Sequence, residues 1–125
     1  MSVLSSQAAA GLLGATGVSL GAFGAHALKA TLERRGTLSS WQTAVSYQLL
    51  HAVALLQLAL RDGPAADDAD AAADRFATTS RLWFWGVALF SGSIYGLSLG
   101  GPKILGPVTP IGGLLMISGW ASLMF

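Results

Sequence analysis

Long uncharged stretches alternate with short polar segments along the chain. The thirteen charged side chains, seven basic and six acidic, lie only in residues 29–35, in residues 61–81 and at Lys103. A membrane-spanning helix needs about 20 predominantly apolar residues, and four stretches of about that length carry no charge. We therefore predict a single transmembrane domain over 1–125, with spans at about 7–28, 41–60, 80–100 and 104–125.

Turn and capping residues set the predicted limits of the first two spans. Span 1 continues as helix to Gly36, because basic residues in a last turn followed by glycine are typical of a helix end. Trp41 is interpreted as an interfacial anchor at the start of span 2. Residues 62–75, rich in Asp and Ala, are predicted to form a solvent-exposed mobile loop, since they contain too few large apolar groups to pack.

The second half of the chain contains two further predicted spans. Trp83 and Trp85 at the start of span 3 are interpreted as an interfacial belt. At the start of span 4, Thr109 suits an N-cap and Pro110 a first helical position, and Gly112 and Gly113 follow. A helix from Pro110 onwards would be roughly 24 Å long, so residues 104–109 are predicted to enter the membrane as an irregular segment. Short connections make spans 1–2 and 3–4 antiparallel hairpins, and the predicted fold is a compact all-α bundle of four transmembrane helices.

The composition agrees with a membrane location and excludes several classes of function. Of the 125 residues, 53% are hydrophobic and 10% charged, and the mean hydropathy is +0.60. The net charge is only +1 and no basic stripe occurs, so we expect no nucleic-acid partner. The chain has no cysteine, which rules out disulfides and thiolate metal sites. Basic residues are nearly balanced between the two membrane sides, so the sequence leaves the orientation open.

Glycines form stripes on spans 1 and 3. Helices in a bilayer associate through the close approach of small residues and through hydrogen bonds. We predict that these stripes pack spans 1 and 3 tightly within one bundle, with an oligomer interface as the alternative. The predicted packing residues are Gly11, Gly14, Gly17, Gly21 and Gly24 on span 1 and Gly92, Gly96 and Gly100 on span 3.

Polar residues concentrate on one face of span 2. Polar groups within a span are costly and are therefore candidates for function. The candidate cluster comprises Thr43, Tyr47, Gln48 and His51, with His26 near the far end of span 1. This face is interpreted as a hydrogen-bonded core. The alternatives are a proton-handling His51, a small-ligand pocket and haem ligation.

No catalytic, cofactor-binding or metal site is predicted. His26 and His51 differ in depth by roughly 10 Å along their helices, which disfavours a bis-histidine haem. No paired carboxylates, HExxH motif or nucleophile with a nearby base occurs in a span. We therefore expect a protein that is not an enzyme and that needs no cofactor.

Four sequence strings resemble a known membrane family in their order and spacing. They are GAFGAHAL in span 1, WQTAVSYQLLHAVALL in span 2, LFSGSIYGLSL in span 3 and GPVTPIGGLLMISGWASL in span 4. The family is the domain of unknown function 423, which includes bacterial inner-membrane proteins and the eukaryotic transmembrane protein 256. Its signature positions are Gly21, Gly24, His26, Tyr47, Gln48, His51, Ser91, Gly92, Ser93, Tyr95, Thr109, Pro110, Gly112, Gly113, Gly119 and Trp120.

The resemblance implies a small four-span protein, mitochondrial in eukaryotes, but no activity, substrate or cofactor. The acidic residues Asp67, Asp68, Asp70 and Asp74 fall in a middle loop longer than the family pattern, and we interpret them as a solvated tether, with a docking segment as the alternative. We expect a structural or accessory subunit that associates with a larger membrane protein complex, respiratory or photosynthetic, and contacts membrane lipids and other membrane protein subunits. The expected location is a bacterial inner membrane or an organelle inner membrane, mitochondrial or thylakoid. The alternative function is a carrier or sensor for a small or lipidic molecule that uses the polar face of span 2.

Overall fold

A computed structural model describes residues 5–60 and 69–125, with the side chains of residues 69–75 outside the description. The described chain is all-helical and contains no strand, which confirms the predicted class. Its elements are α1 (Ser6–Ala25), α2 (Lys29–Arg35), α3 (Leu38–Leu60), α4 (Ala69–Ser98), a 3₁₀ turn (Lys103–Leu105) and α5 (Val108–Ser122).

Three helical segments are long and apolar enough to cross a membrane. They are Ser6–Ala25, Leu38–Leu60 and Lys103–Ser122. Helix α4 is the longest of the described helices, but its sequence is less apolar because it contains Asp70, Asp74, Arg75 and Arg81 and several serines and threonines.

The helix predicted to run unbroken from span 1 to Gly36 is interrupted. Helix α1 begins at Ser6, where Ser5 Oγ accepts from the Ala8 amide, and it ends at Ala25. His26 then has φ −127° and ψ −84°, outside the helical region, and the chain turns before α2 begins. The predicted stop at Gly36 is correct, since Gly36 has φ +70° and its amide donates to the Glu33 carbonyl. Glycine adopts this left-handed conformation without steric cost.

Helix α4 begins earlier than the sequence interpretation placed it. Within the predicted loop 62–75 the backbone is helical from Ala69 onwards, while residues 62–68 lie outside the described residues, as do the side chains of the four clustered aspartates. Alanine is the strongest helix former. The composition that suggested a loop therefore also suits a helix start.

The start of α5 also differs from the prediction. The helix begins at Val108 with Pro107 in the capping position, so Thr109 and Pro110 lie inside its first turn. Proline is tolerated there because the first amides of a helix have no intrahelical acceptor. The irregular segment expected over 104–109 is a 3₁₀ turn followed by Gly106 and Pro107.

Successive long helices pack side by side in antiparallel pairs. Helix α3 lies between α1 and α4, and α4 lies between α3 and α5. Among the described residues no extended contact joins α1 to α5, so the helices form an open row, and the predicted compact bundle of four transmembrane helices is not confirmed. A shared core at one end still contains residues from all four helices, among them Leu13, Leu55, Val87 and Met116.

Two tryptophans expected at membrane interfaces are instead buried in the core. Trp41 and Trp83 are each only 2% exposed, whereas Trp85 is 57% exposed. The Trp41 indole N–H donates to the Leu20 carbonyl oxygen at 2.8 Å. Position near a span end therefore did not distinguish an interfacial from a packed tryptophan.

Candidate functional site

Gln48 joins three helices from the middle of α3. Its amide nitrogen donates to the Leu13 carbonyl at 2.9 Å and to Thr16 Oγ1 at 2.7 Å, both on α1. Its amide oxygen accepts from the Tyr95 hydroxyl on α4 at 2.7 Å. The side chain is buried. Both donors and one acceptor position of this amide are therefore used, since a glutamine amide offers two N–H groups and one oxygen.

His51, one helical turn further along α3, connects to α5. Its Nδ1 lies 2.7 Å from the Tyr47 carbonyl oxygen, and its Nε2 lies 3.0 Å from Trp120 Nε1. A carbonyl oxygen only accepts and an indole N–H only donates. Nδ1 must therefore carry the proton and Nε2 the lone pair. The geometry assigns the neutral Nδ1–H tautomer to the buried His51, with both ring nitrogens occupied.

An aromatic cluster surrounds His51. The Trp83 ring is edge-on to the imidazole, with centroids 5.9 Å apart, and Trp83 and Trp120 are 4.5 Å apart. The Trp83 indole nitrogen is buried without a hydrogen-bond partner among the described residues. A Cβ added to Gly119 would lie 2.5 Å from Trp83 Cδ1. The absence of a side chain at Gly119 therefore makes room for the Trp83 ring.

A second set of contacts fixes α3 against α4 nearer the α2 end. The Ser91 hydroxyl donates to the Ala44 carbonyl at 2.8 Å, and the Thr37 hydroxyl donates to the Ser98 carbonyl at 3.0 Å. The Trp41 and Tyr95 rings pack at 4.7 Å. Because Tyr95 also donates to Gln48, these contacts are connected to the hydrogen bonds of Gln48.

The predicted polar cluster is divided in the structure. Gln48 and His51 are both buried, but they do not line one pocket. Gln48 accepts a hydrogen bond from Tyr95 on α4, whereas His51 accepts one from Trp120 on α5. Tyr47 is 44% exposed and packs its ring on Phe90. Thr43 is exposed and donates to the Ser39 carbonyl of its own helix. His26 is exposed at the end of α1.

Part of the glycine stripe of span 1 faces span 2. A Cβ at Gly24 would lie 2.5 Å from Trp41 Cδ1, and one at Gly17 would lie 2.7 Å from Leu49 Cδ2. A Cβ at Gly21 would lie 3.2 Å from Val45 Cγ1. Gly11 and Gly14 have no atom within 4 Å of such a Cβ, and they line an open groove of about 610 Å³ between α1 and α3.

The glycines predicted on span 3 also have mixed surroundings. Gly92 has open space, Gly96 contacts Leu105, and Gly100 lies against the Arg35 guanidinium. The contact between α4 and α5 does not use these three glycines, so the glycine spacing on span 3 did not indicate which residues form it. Its antiparallel pairs are Thr79 with Ser122, Trp83 with Gly119, Gly86 with Met116, Phe90 with Gly112, and Ser93 with Thr109.

These contacts limit what the interior can do chemically. His51 can accept a proton or ligate a metal through Nε2 only if the bond from Trp120 is broken. No group of three or more His, Cys, Asp or Glu side chains that could hold a metal occurs in the part of the chain that the structure describes. The interior polar groups serve as links between helices.

Comparisons with known proteins show similarity to membrane proteins. A family model described as "protein of unknown function (DUF423)" matches residues 20–113. A UPF0382 membrane protein of Schizosaccharomyces pombe is 39% identical over 121 residues, covering 92% of this chain and 94% of the relative. UPF0382 membrane proteins of Staphylococcus haemolyticus and Haemophilus influenzae are 41% and 39% identical, each covering 86% of this chain and 81% of the relative. No solved structure matches.

Proposed function

We propose that this chain, which belongs to the DUF423 family of membrane proteins, is a non-enzymatic structural or accessory subunit of a larger membrane assembly. The observation that carries the proposal is that the buried Gln48 and His51 use their polar atoms in hydrogen bonds within the protein. Function is then expected on the outward faces of the helices, where the chain can contact lipids and other membrane subunits.

The interior supports this proposal through the identity of its hydrogen-bond partners. Gln48 is bonded to α1 and α4, and His51 is bonded to α5 and to its own helix. Interhelical bonds of this kind stabilise membrane helix packing by about 0.6 kcal/mol on average and by up to about 1.7 kcal/mol. A carrier or sensor that used this face would have to break them at each binding event.

The outer helices α1 and α5 support the proposed subunit role because each has a face that no other long helix of the described chain covers. In the open row, α1 and α5 each have an extended neighbour on one side only. Large apolar side chains project outward from both, including Val18 and Phe23 on α1 and Leu114 and Ile117 on α5. Such faces are stable in contact with lipid tails or with further membrane helices.

The proposal includes four membrane crossings. Helix α4 follows α5 in steady antiparallel register from the Thr79–Ser122 pair to the Ser93–Thr109 pair. That distance is about 21 Å at 1.5 Å per residue, and this register supports a fourth crossing in which the apolar part of α4 lies beside α5. We assign the protein to a bacterial inner membrane or to a mitochondrial or thylakoid inner membrane.

Native electrophoresis tests the proposal. Membranes that contain the full chain are solubilised in a mild detergent, separated on a native gel and searched for the chain by mass spectrometry. We expect it to migrate with a larger assembly, and the His51→Phe variant to migrate at the same position. The half-exposed Tyr47→Phe is the matched control. Migration of the wild type as a small species would contradict the proposal and would favour the carrier or sensor.

A further inference from the structure

Basic side chains are concentrated at one end of the helix row. Lys29, Arg34 and Arg35 lie on α2, and Lys103 lies in the turn between α4 and α5. All four are exposed. Glu33 is the one acidic residue in segments 29–60 and 82–125, so this end carries four positive charges and one negative charge.

Tertiary contacts hold α2 and the connection between α4 and α5, which carry these cations, at the same end of the row. Leu32 on α2 is fully buried and fixes the short helix against the row. The Arg35 guanidinium lies against Gly100, at φ +89°, where an added Cβ would be 2.5 Å from Arg35 Nη2. Lys103 follows three residues later. We call Lys29, Arg34, Arg35 and Lys103 the cationic end.

Exposed apolar side chains adjoin the cationic end. Leu99 immediately precedes Gly100 and is 43% exposed, and Ile104 immediately follows Lys103 and is 73% exposed. A partner that fits both features has an anionic group joined to an apolar part. Basic residues close to a bilayer surface attract anionic lipids, while apolar groups beside them contact acyl chains.

We propose that the cationic end binds the headgroup of an anionic phospholipid, with the phosphate at Arg35 and Lys103 and the acyl chains beside Leu99 and Ile104. Residues 61–81 have no such excess, because they contain three basic and five acidic residues. This binding does not depend on the proposed function, since a subunit and a carrier would both use it.

Native mass spectrometry of the purified full-length protein in detergent tests the proposal. Phosphatidylglycerol and phosphatidylcholine with the same acyl chains are titrated separately, and the fraction with one bound lipid is measured. Each basic residue near an anionic surface strengthens binding roughly fivefold. We therefore expect the double variant Arg35→Gln/Lys103→Gln to bind phosphatidylglycerol roughly 25-fold more weakly and to bind phosphatidylcholine as the wild type does. The control variant Arg81→Gln should bind phosphatidylglycerol with wild-type affinity.

Two additions keep the test decisive. If Arg35→Gln/Lys103→Gln does not fold, Arg34→Gln/Lys103→Gln replaces it, because the exposed Arg34 donates to Thr31 of its own helix at 3.2 Å. Glycerol phosphate, a headgroup without acyl chains, is added as a competitor and should not displace the lipid. Equal binding of both lipids, an equal loss in Arg81→Gln, or displacement by glycerol phosphate would each overturn the proposal.

Discussion

The α4–α5 contact and the amino-terminal half of α1 both contain glycines, but in opposite surroundings. At the α4–α5 contact a Cβ on Gly112 would lie 2.6 Å from the Gly86 carbonyl oxygen and 2.8 Å from the Phe90 Cα. Around Gly11 and Gly14 there is open space and a groove of about 610 Å³. One set of glycines allows two backbones to touch, while the other leaves a surface uncovered.

This difference shows that the spacing of glycines does not by itself identify a helix interface. Glycine lets backbones approach closely only where a second backbone is present. Elsewhere a glycine only leaves the helix surface without a side chain, and it lowers the stability of the helix by about 0.5–1 kcal/mol relative to alanine. Substitutions can therefore distinguish closed from open positions, and the predictions below run from the largest expected effect to the smallest.

Gly112→Ala should cause the largest loss of stability. Its Cβ would collide with backbone atoms of α4, which cannot rotate away, and overpacking of this kind costs about 1–3 kcal/mol and occasionally more. We expect a loss of about 3 kcal/mol in the free energy of unfolding, measured by denaturation in mixed micelles. The adjacent Gly113→Ala is the control, because its Cβ would lie 3.8 Å from Phe90 Cδ1. A similar loss in both variants would contradict the close α4–α5 contact.

Gln48→Leu should have the next largest effect. It leaves the Leu13 carbonyl and the hydroxyls of Thr16 and Tyr95 without their glutamine partner. Given the value of interhelical bonds in membranes, we expect a loss of about 2 kcal/mol. Gln42→Leu, at an exposed position of the same helix, should change stability by less than about 0.5 kcal/mol. Equal effects would mean that the Gln48 bonds contribute nothing.

His51→Phe should cost about 1 kcal/mol. The ring volume is nearly kept, and the main loss is the acceptor for the Trp120 indole N–H. The change can be followed by tryptophan fluorescence during unfolding, with Tyr47→Phe as the control. An unfolded protein would show that His51 carries more of the structure than its two bonds indicate.

Gly11→Ala should have the smallest effect, and of the opposite sign. With nothing within 4 Å of the new Cβ, the gain in helix propensity should raise stability by about 0.5–1 kcal/mol. Gly17→Ala, on the same helix, would place its Cβ 2.7 Å from the Leu49 side chain and should not gain. A clear loss of stability in Gly11→Ala would contradict this expectation and would show that another part of the protein covers the groove.

Parts of this structure could be read from the sequence because local chemistry determines them. The left-handed stop at Gly36 follows from glycine after basic residues, and the burial of Gln48 and His51 follows from the cost of polar groups in a span. The partners of Trp41 and Trp83 could not be read, because they depend on which helices become neighbours. The same applies to the glycine stripe of α1, which packs on α3 at Gly24 but is open at Gly11.

The central claim is that the polar atoms of the buried Gln48 and His51 are used in hydrogen bonds within the protein and are not free for chemistry. Nitrogen-15 NMR of the His51 imidazole in the detergent-solubilised protein tests it most directly. The account predicts a single neutral Nδ1–H tautomer, with Nε2 unprotonated and hydrogen-bonded to the Trp120 indole, and loss of that bond in Trp120→Phe. A protonated Nε2, or rapid exchange of the imidazole proton with water, would contradict it.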